Sequence, residues 1–221
     1  MPDTLGAGFR IIQSQTACVF AARARIESVP PFQGPDGNAA GQVAFKTLAD
    51  FTARAEAEEL DGLLIELVDP LCGESLIALA ATVRDLLTAL IASDGGCPQE
   101  ALAEAGSEHW WLTLCGTRWF VLAFAPCYSA ESPRFTFDSR STFVLLQPVS
   151  SFDRRATPKG AAISSEIRQR IRHAYAADGC PYDHALAQQD IEAMKFVWPL
   201  LIGDEPVRWW HDVPAPGKGA A

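Results

Sequence analysis

The chain has no CxxC pair, no HxxxH or HExxH spacing and no GxGxxG turn after a strand-like run. These absences argue against a spacing-defined zinc site and against a built-in flavin or nicotinamide fold, so any reductant would be a separate protein or a chemical donor. Lysine is scarce, with only Lys46, Lys159, Lys195 and Lys218, and the net charge is −9 with a pI near 4.9. That balance argues against a nucleic-acid partner, because phosphate binding needs clustered cations. Long apolar runs are also wanting: the best, Leu76 to Ala92, is interrupted by Arg84 and Asp85, and no membrane span is expected. The opening MPDTLGAGFR has neither the basic nor the apolar region of a secretory signal, which makes a cytoplasmic protein the expectation. Repeats, heptads and low-complexity blocks are missing.

What is present suffices for a packed core. At 221 residues and 48% hydrophobic, the chain is expected to form a single domain over 1–212, with the VPAPGKGAA tail at 213–221 disordered. Phe9 to Ile12 and Cys18 to Ala21 are short apolar runs, and RARIESV continues as an alternating strand with Ile26 and Val29 on related faces. A loop, VPPFQGPDGNAAG, leads to helical spacing from Gln42 to Leu60. Gly62 to Val68 is an apolar strand containing Glu66, which either lines a pocket or faces solvent, and Asp69 follows it. Ser75 to Ser93 is a long helix stopped by Asp94-Gly95-Gly96. Ser164 to Ala177 predicts an amphipathic helix and Asp190 to Trp198 a shorter one. The implied class is α+β, a largely antiparallel central sheet flanked by helices.

Between these lies the chemically richest stretch, His109 to Phe152. Trp110 to Cys115 and Trp119 to Ala125 read as strands joined through Gly116-Thr117-Arg118, and Thr142 to Leu146 as a third. Pro126 stops the ladder, and the segment Cys127 to Arg140 carries Tyr128, Ser129, Ser132, Arg134 and Arg140. A long loop on a rigid sheet projects polar groups over a cavity, or else is a surface crossover. Six cysteines, Cys18, Cys72, Cys97, Cys115, Cys127 and Cys180, are unpaired by spacing; for each, the plain role is a small buried apolar residue. His109, His173, His184 and His211 are scattered.

The ordered pieces of this pattern resemble the YqcI/YcgG family. They are Cys18-Val19-Phe20-Ala21, then Trp111, Gly116, Trp119-Phe120, Pro126 and Tyr128, then Ser132-Pro133-Arg134, Gln147-Pro148, Ser151-Phe152, and finally Ile171-Arg172 with Tyr175. The resemblance covers roughly residues 15 to 200. Some members of that family look like haem-dependent N-hydroxylases, including enzymes of guanitoxin and cycloserine biosynthesis. It therefore implies a haem b enzyme that uses dioxygen and external electrons to oxygenate a nitrogen of a small amino acid, guanidine or amine.

The same resemblance makes Cys18 the first candidate for the iron ligand, since a thiolate's electron donation favours O–O cleavage. His173 is the fallback, although a solvent-facing role suits its helix position. Arg134 and Arg140 would hold haem propionates or a substrate carboxylate, or else be loop surface charge. Tyr128, Ser129 and Ser132 would donate hydrogen bonds to bound dioxygen or order water, and Glu66 or Asp69 would pair with a cationic amine. The chain departs from the family pattern in carrying Ala17 where proline is common and in a short C-terminal region. Guanitoxin-type members carry histidines where this chain has Pro126 and Gln147-Pro148. Two other functions stay open: a haem carrier or sensor without turnover, which would bind the cofactor that the resemblance implies, and a cofactor-free adaptor with an aromatic surface at Trp209 and Trp210.

Overall fold

In the computed structural model the described residues are 5–18, 20–156 and 165–211, so the 213–221 tail lies outside them. Five strands form one mixed sheet in the order β1-β2-β5-β4-β3: β1 (Ile26–Ser28), β2 (Gly62–Leu67), β3 (Leu112–Leu114), β4 (Thr117–Phe124) and β5 (Thr142–Pro148). β1 runs parallel to β2, and every other pairing is antiparallel. The fold is α+β with a largely antiparallel sheet flanked by helices.

The two faces of the sheet follow from the alternation of side chains along each strand. Leu63, Ile65, Leu67, Val121, Ala123, Val144 and Leu146 belong to the main core, which also receives α2 (Gly37–Arg54) and α3 (Leu76–Ser93). The intervening residues Leu64, Phe124, Phe143 and Leu145 form a second, smaller core. It is closed by Phe9 and Ile12 of α1 (Ala7–Gln15), with the Phe9 ring edge-on to Phe124 at 5.8 Å. β2 and β5 are thus apolar on both sides, which is why they read as continuous hydrophobic runs.

Local signals explain the helix boundaries. The Asp36 carboxylate accepts from the Ala39 N–H at 3.1 Å and starts α2 five residues ahead of the hydrophobic spacing that begins at Gln42. Ser75 caps α3 in the same way at 3.2 Å. α2 lies close against α3 because Gly37 and Gly41 face it: a Cβ at these positions would stand 2.6 Å from the Thr82 carbonyl oxygen and 2.5 Å from that of Leu86. By length and composition α3 would suffice to cross a membrane even with Arg84 and Asp85 in it, which corrects the expectation that no stretch would. Here it contributes Leu79, Val83, Leu86, Leu87 and Leu90 to the main core.

Several other boundaries differ from the sequence reading. The Phe9 to Ile12 run is helical, because its apolar residues recur three apart and face the sheet from one side. The β3–β4 turn is Cys115-Gly116, both with positive φ, 51° and 70°, as a two-residue type I′ hairpin requires. Thr117 and Arg118 are already paired in β4. The Asp94 carboxylate receives the Cys115 N–H at 2.9 Å and ties this turn to the end of α3.

The remaining helices are α4 (Pro98–Ala103), α5 (Val149–Ala156), α6 (Ser165–Ala177) and α7 (His184–Ala187). The helix expected over Asp190 to Trp198 is a 3-10 turn at Glu192–Lys195. Trp209 and Trp210 are core residues, 0% and 7% exposed, and Trp209 stacks on Phe196 at 5.5 Å. The aromatic surface expected there is therefore interior, which removes the basis for an adaptor built on it.

Candidate functional site

After β4 the chain does not wander as an open loop. Pro126 ends the ladder, and Cys127 donates its N–H to the Gly73 carbonyl at 3.0 Å. Ser132 N–H then reaches the Ser129 carbonyl at 2.9 Å, and Phe135 N–H that of Ser132 at 3.1 Å. The Ser132 hydroxyl accepts from the Arg134 N–H at 3.2 Å. This succession of tight turns aims Arg134 inward. Only 3% of it is exposed, so the surface-charge alternative does not describe it.

The Arg134 guanidinium lies between two aromatic rings, its central carbon 5.4 Å from the Phe124 centroid and 5.0 Å from that of Trp198. Nη2 donates to the Lys195 carbonyl at 3.2 Å. Nη1 is buried and has no partner among the described residues. No carboxylate pairs with this cation among the described residues. Burial pulls its pKa down, opposed by Tyr182, Tyr128, Tyr175 and Cys18. These include all three tyrosines of the chain.

Each tyrosine is held by its own contacts. The Tyr128 hydroxyl donates to the Trp198 carbonyl at 2.8 Å, and burial raises its pKa. Tyr175 and Thr16 share a hydrogen bond at 3.0 Å, and burial raises the Tyr175 hydroxyl as well. Tyr182 packs against both Tyr175 and Trp198, with centroids at 5.3 and 5.1 Å. The Trp198 indole Nε1 is a second buried donor with no partner among the described residues.

Cys18 belongs to the same cluster. Burial raises its thiol pKa, while the N–H groups of Phe20 and Ala21 and the charge of Arg134 act in the opposite direction. Its own N–H donates to Thr16 Oγ1 at 3.3 Å, so Thr16 links the cysteine to Tyr175. A cleft of about 310 Å³ runs alongside, lined in part by Thr16, Ala17, Ser132, Pro133, Phe135 and Tyr175. A smaller void of about 30 Å³ lies against Ser132, Pro133 and Trp198.

Of the residues singled out in the sequence, Cys18, Tyr128, Ser132 and Arg134 come together. The others do not join them. Ser129 and Arg140 are exposed, and His173 is exposed on α6. Glu66 is half-buried on the α1 side of the sheet and accepts from the Ser141 hydroxyl at 2.8 Å. Asp69 accepts from the Leu71 N–H at 3.0 Å and caps a 3-10 turn. Trp198 and Tyr182 were missed because nothing in their spacing points to β4 or its loop. Among the described residues no group of three or more His, Cys, Asp or Glu side chains converges to hold a metal ion.

These donors meet the requirements of a haem in part. Cys18 is a single thiol supported by two backbone N–H groups, and Arg134 Nη1 is an orphaned buried donor suited to a carboxylate. Arg140 lies exposed, away from the cleft lining. Neither family models nor curated proteins nor solved structures match this chain.

Proposed function

We propose that this protein is a haem-dependent oxygenase of the YqcI/YcgG type, which N-hydroxylates a small amino acid, guanidine or amine. The observation that carries the proposal is convergence: Cys18, Tyr128 and Tyr175, from three separate pieces of the family pattern, lie around the buried guanidinium of Arg134, which belongs with Ser132 to a fourth. Segments with purely local roles have no reason to gather there.

Bound haem b would supply the iron at which dioxygen is activated, with electrons from an external donor. Cys18 would hold that iron, its thiolate supported by the N–H groups of Phe20 and Ala21 and by the charge of Arg134. Arg134 Nη1 would take a propionate or the substrate's carboxylate. The Ser132 hydroxyl accepts from Arg134 N–H, which leaves its own hydrogen to donate into the cleft. Tyr128 is a positioning residue in this scheme, since its hydrogen is already committed to Trp198. The same reading has the protein working in the cytoplasm.

One observation favours a second reading, a haem carrier or sensor. The cleft, about 310 Å³, is at the low end of ligand pockets, which span roughly 300–1,000 Å³, and leaves little room for a substrate beside a macrocycle.

The test is to produce the full chain with iron and a haem precursor and to record its absorption spectrum, ferric, ferrous and CO-bound, for wild type and Cys18→Ala. A Soret band that shifts or vanishes in the variant supports thiolate ligation. A wild type that neither carries haem nor can be reconstituted overturns the proposal. Oxygen consumption coupled to an amine panel then separates the oxygenase from the carrier.

A further inference from the structure

Two buried donors on adjacent side chains, Arg134 Nη1 and Trp198 Nε1, lack acceptors among the described residues. A buried N–H without a partner is costly, and a buried cation without an anion more so. Here both occur together: the guanidinium carbon is 5.0 Å from the indole centroid, and no carboxylate among the described residues pairs with it. The surroundings provide no substitute. The neighbouring hydroxyls bond elsewhere, Tyr128 to the Trp198 carbonyl, Tyr175 to Thr16 and Ser132 to the Arg134 N–H, and none of them accepts from either donor. Glu192, the nearest acid in sequence to Lys195, is occupied by the Lys195 ammonium at 2.8 Å.

The arrangement is also held rigidly. Lys195 O fixes Nη2, Tyr128 fixes the Trp198 main chain, and the Phe124 and Trp198 rings hold the guanidinium plane. A preorganised cation with one spare edge next to a preorganised neutral donor suits a planar, singly charged acceptor with two oxygens.

We infer that Arg134 and Trp198 form a receptor for one carboxylate, which accepts from Arg134 Nη1 and Trp198 Nε1. Its approach is the void of about 30 Å³ that Trp198 lines, which shares Ser132 and Pro133 with the larger cleft. The receptor itself stands whether or not the chain binds haem. Joined to the oxygenase, and resting on that reading, it makes the substrate an amino or guanidino acid and not a simple amine. A haem propionate offers the same chemistry.

The test is a titration of the full-length chain, prepared without haem, with sodium acetate, followed by the tryptophan indole N–H resonances. The Trp198 resonance is assigned by its loss in Trp198→Phe. Acetate, and neither acetamide nor chloride, should shift that resonance and raise the melting temperature. Trp198→Phe should weaken acetate binding by about tenfold or more, the loss of one hydrogen bond to a charged group. Arg134→Met should abolish it.

Repeating the titration on haem-loaded chain identifies the source. Lost acetate binding assigns the receptor to a propionate, and retained binding assigns it to a free acid. An indole resonance unmoved by acetate well above the millimolar range overturns the inference and leaves a buried water as the acceptor. That outcome is read from the wild type alone, so it holds even if Arg134→Met fails to fold. Acetate binding in a chain that never takes up haem would sink the oxygenase and leave the receptor standing.

Discussion

The phenol of Tyr128 donates to the main-chain carbonyl of Trp198 at 2.8 Å, across 70 residues of sequence and wholly within the core. This bond joins the loop after β4 to the C-terminal segment and sets the Trp198 ring against Arg134. Tyr128→Phe keeps the ring and leaves a buried carbonyl short of a donor. It should cost about 1–3 kcal/mol of stability, read as a lower urea midpoint with unchanged m-value. A loss too small to measure would mean that Trp198 is held by packing alone.

Arg134 should behave in the opposite way. A buried cation with no carboxylate partner among the described residues is desolvated without compensation, so an apolar side chain of similar length should be neutral or stabilising in its place. Arg134→Met is therefore expected to unfold at the same or a higher urea concentration than wild type. Arg134→Ala, which also opens a cavity between Phe124 and Trp198, should be less stable than Arg134→Met. A large loss in Arg134→Met would identify the guanidinium as structural cement, its contact with the Lys195 carbonyl outweighing its desolvation.

The contrast between these residues shows how far the sequence could be read. β2, α3 and β5 were legible because each is long, apolar and bounded by a cap or a turn residue, so periodicity alone locates them. α1 was not: a short apolar run such as Phe9 to Ile12 suits either period, and its contact with Phe124 and Phe143 decides the matter. The β3–β4 turn shifted because Cys115, a residue with no preference for positive φ, takes that conformation where Asp94 can receive its N–H. In the site, Cys18, Tyr128, Ser132 and Arg134 stood out by type and order. Their burial did not, because an arginine on a long polar loop ordinarily faces water. Trp198 and Tyr182 enter through tertiary packing that no local spacing records.

The α2–α3 contact makes a prediction of its own. A Cβ at Gly41 would meet the Leu86 carbonyl oxygen at 2.5 Å and the Ala89 Cβ at 2.8 Å, both atoms of a packed helix that cannot swing aside. Gly41→Ala gains helix propensity of about 1 kcal/mol but forces the helices apart. Overpacking of this kind costs about 1–3 kcal/mol, so the variant should be less stable than wild type on balance. Thermal melting checks the sign. A melting temperature above that of wild type would mean that α3 yields easily.

Alkaline pH should destabilise the fold through its buried thiols. Burial pushes Cys72 and Cys127 up to about 11 from an ordinary value of 9.0. For each, the unfolded chain releases its proton first, so between pH 9 and 11 the unfolded state binds fewer protons than the native one and stability falls as pH rises. Below pH 9 the contribution is fully present. Cys18, Tyr128 and Tyr175, also raised by burial, act in the same direction at their own unfolded values. Urea midpoints measured from pH 8 to 11 under reducing conditions should therefore decline, with the slope steepening above pH 9. The decline should be shallower in Cys127→Ala, which removes one titrating thiol from a half-buried position. An identical slope in that variant would assign the alkaline loss to the other groups that burial raises, Cys72 and the tyrosines around Arg134.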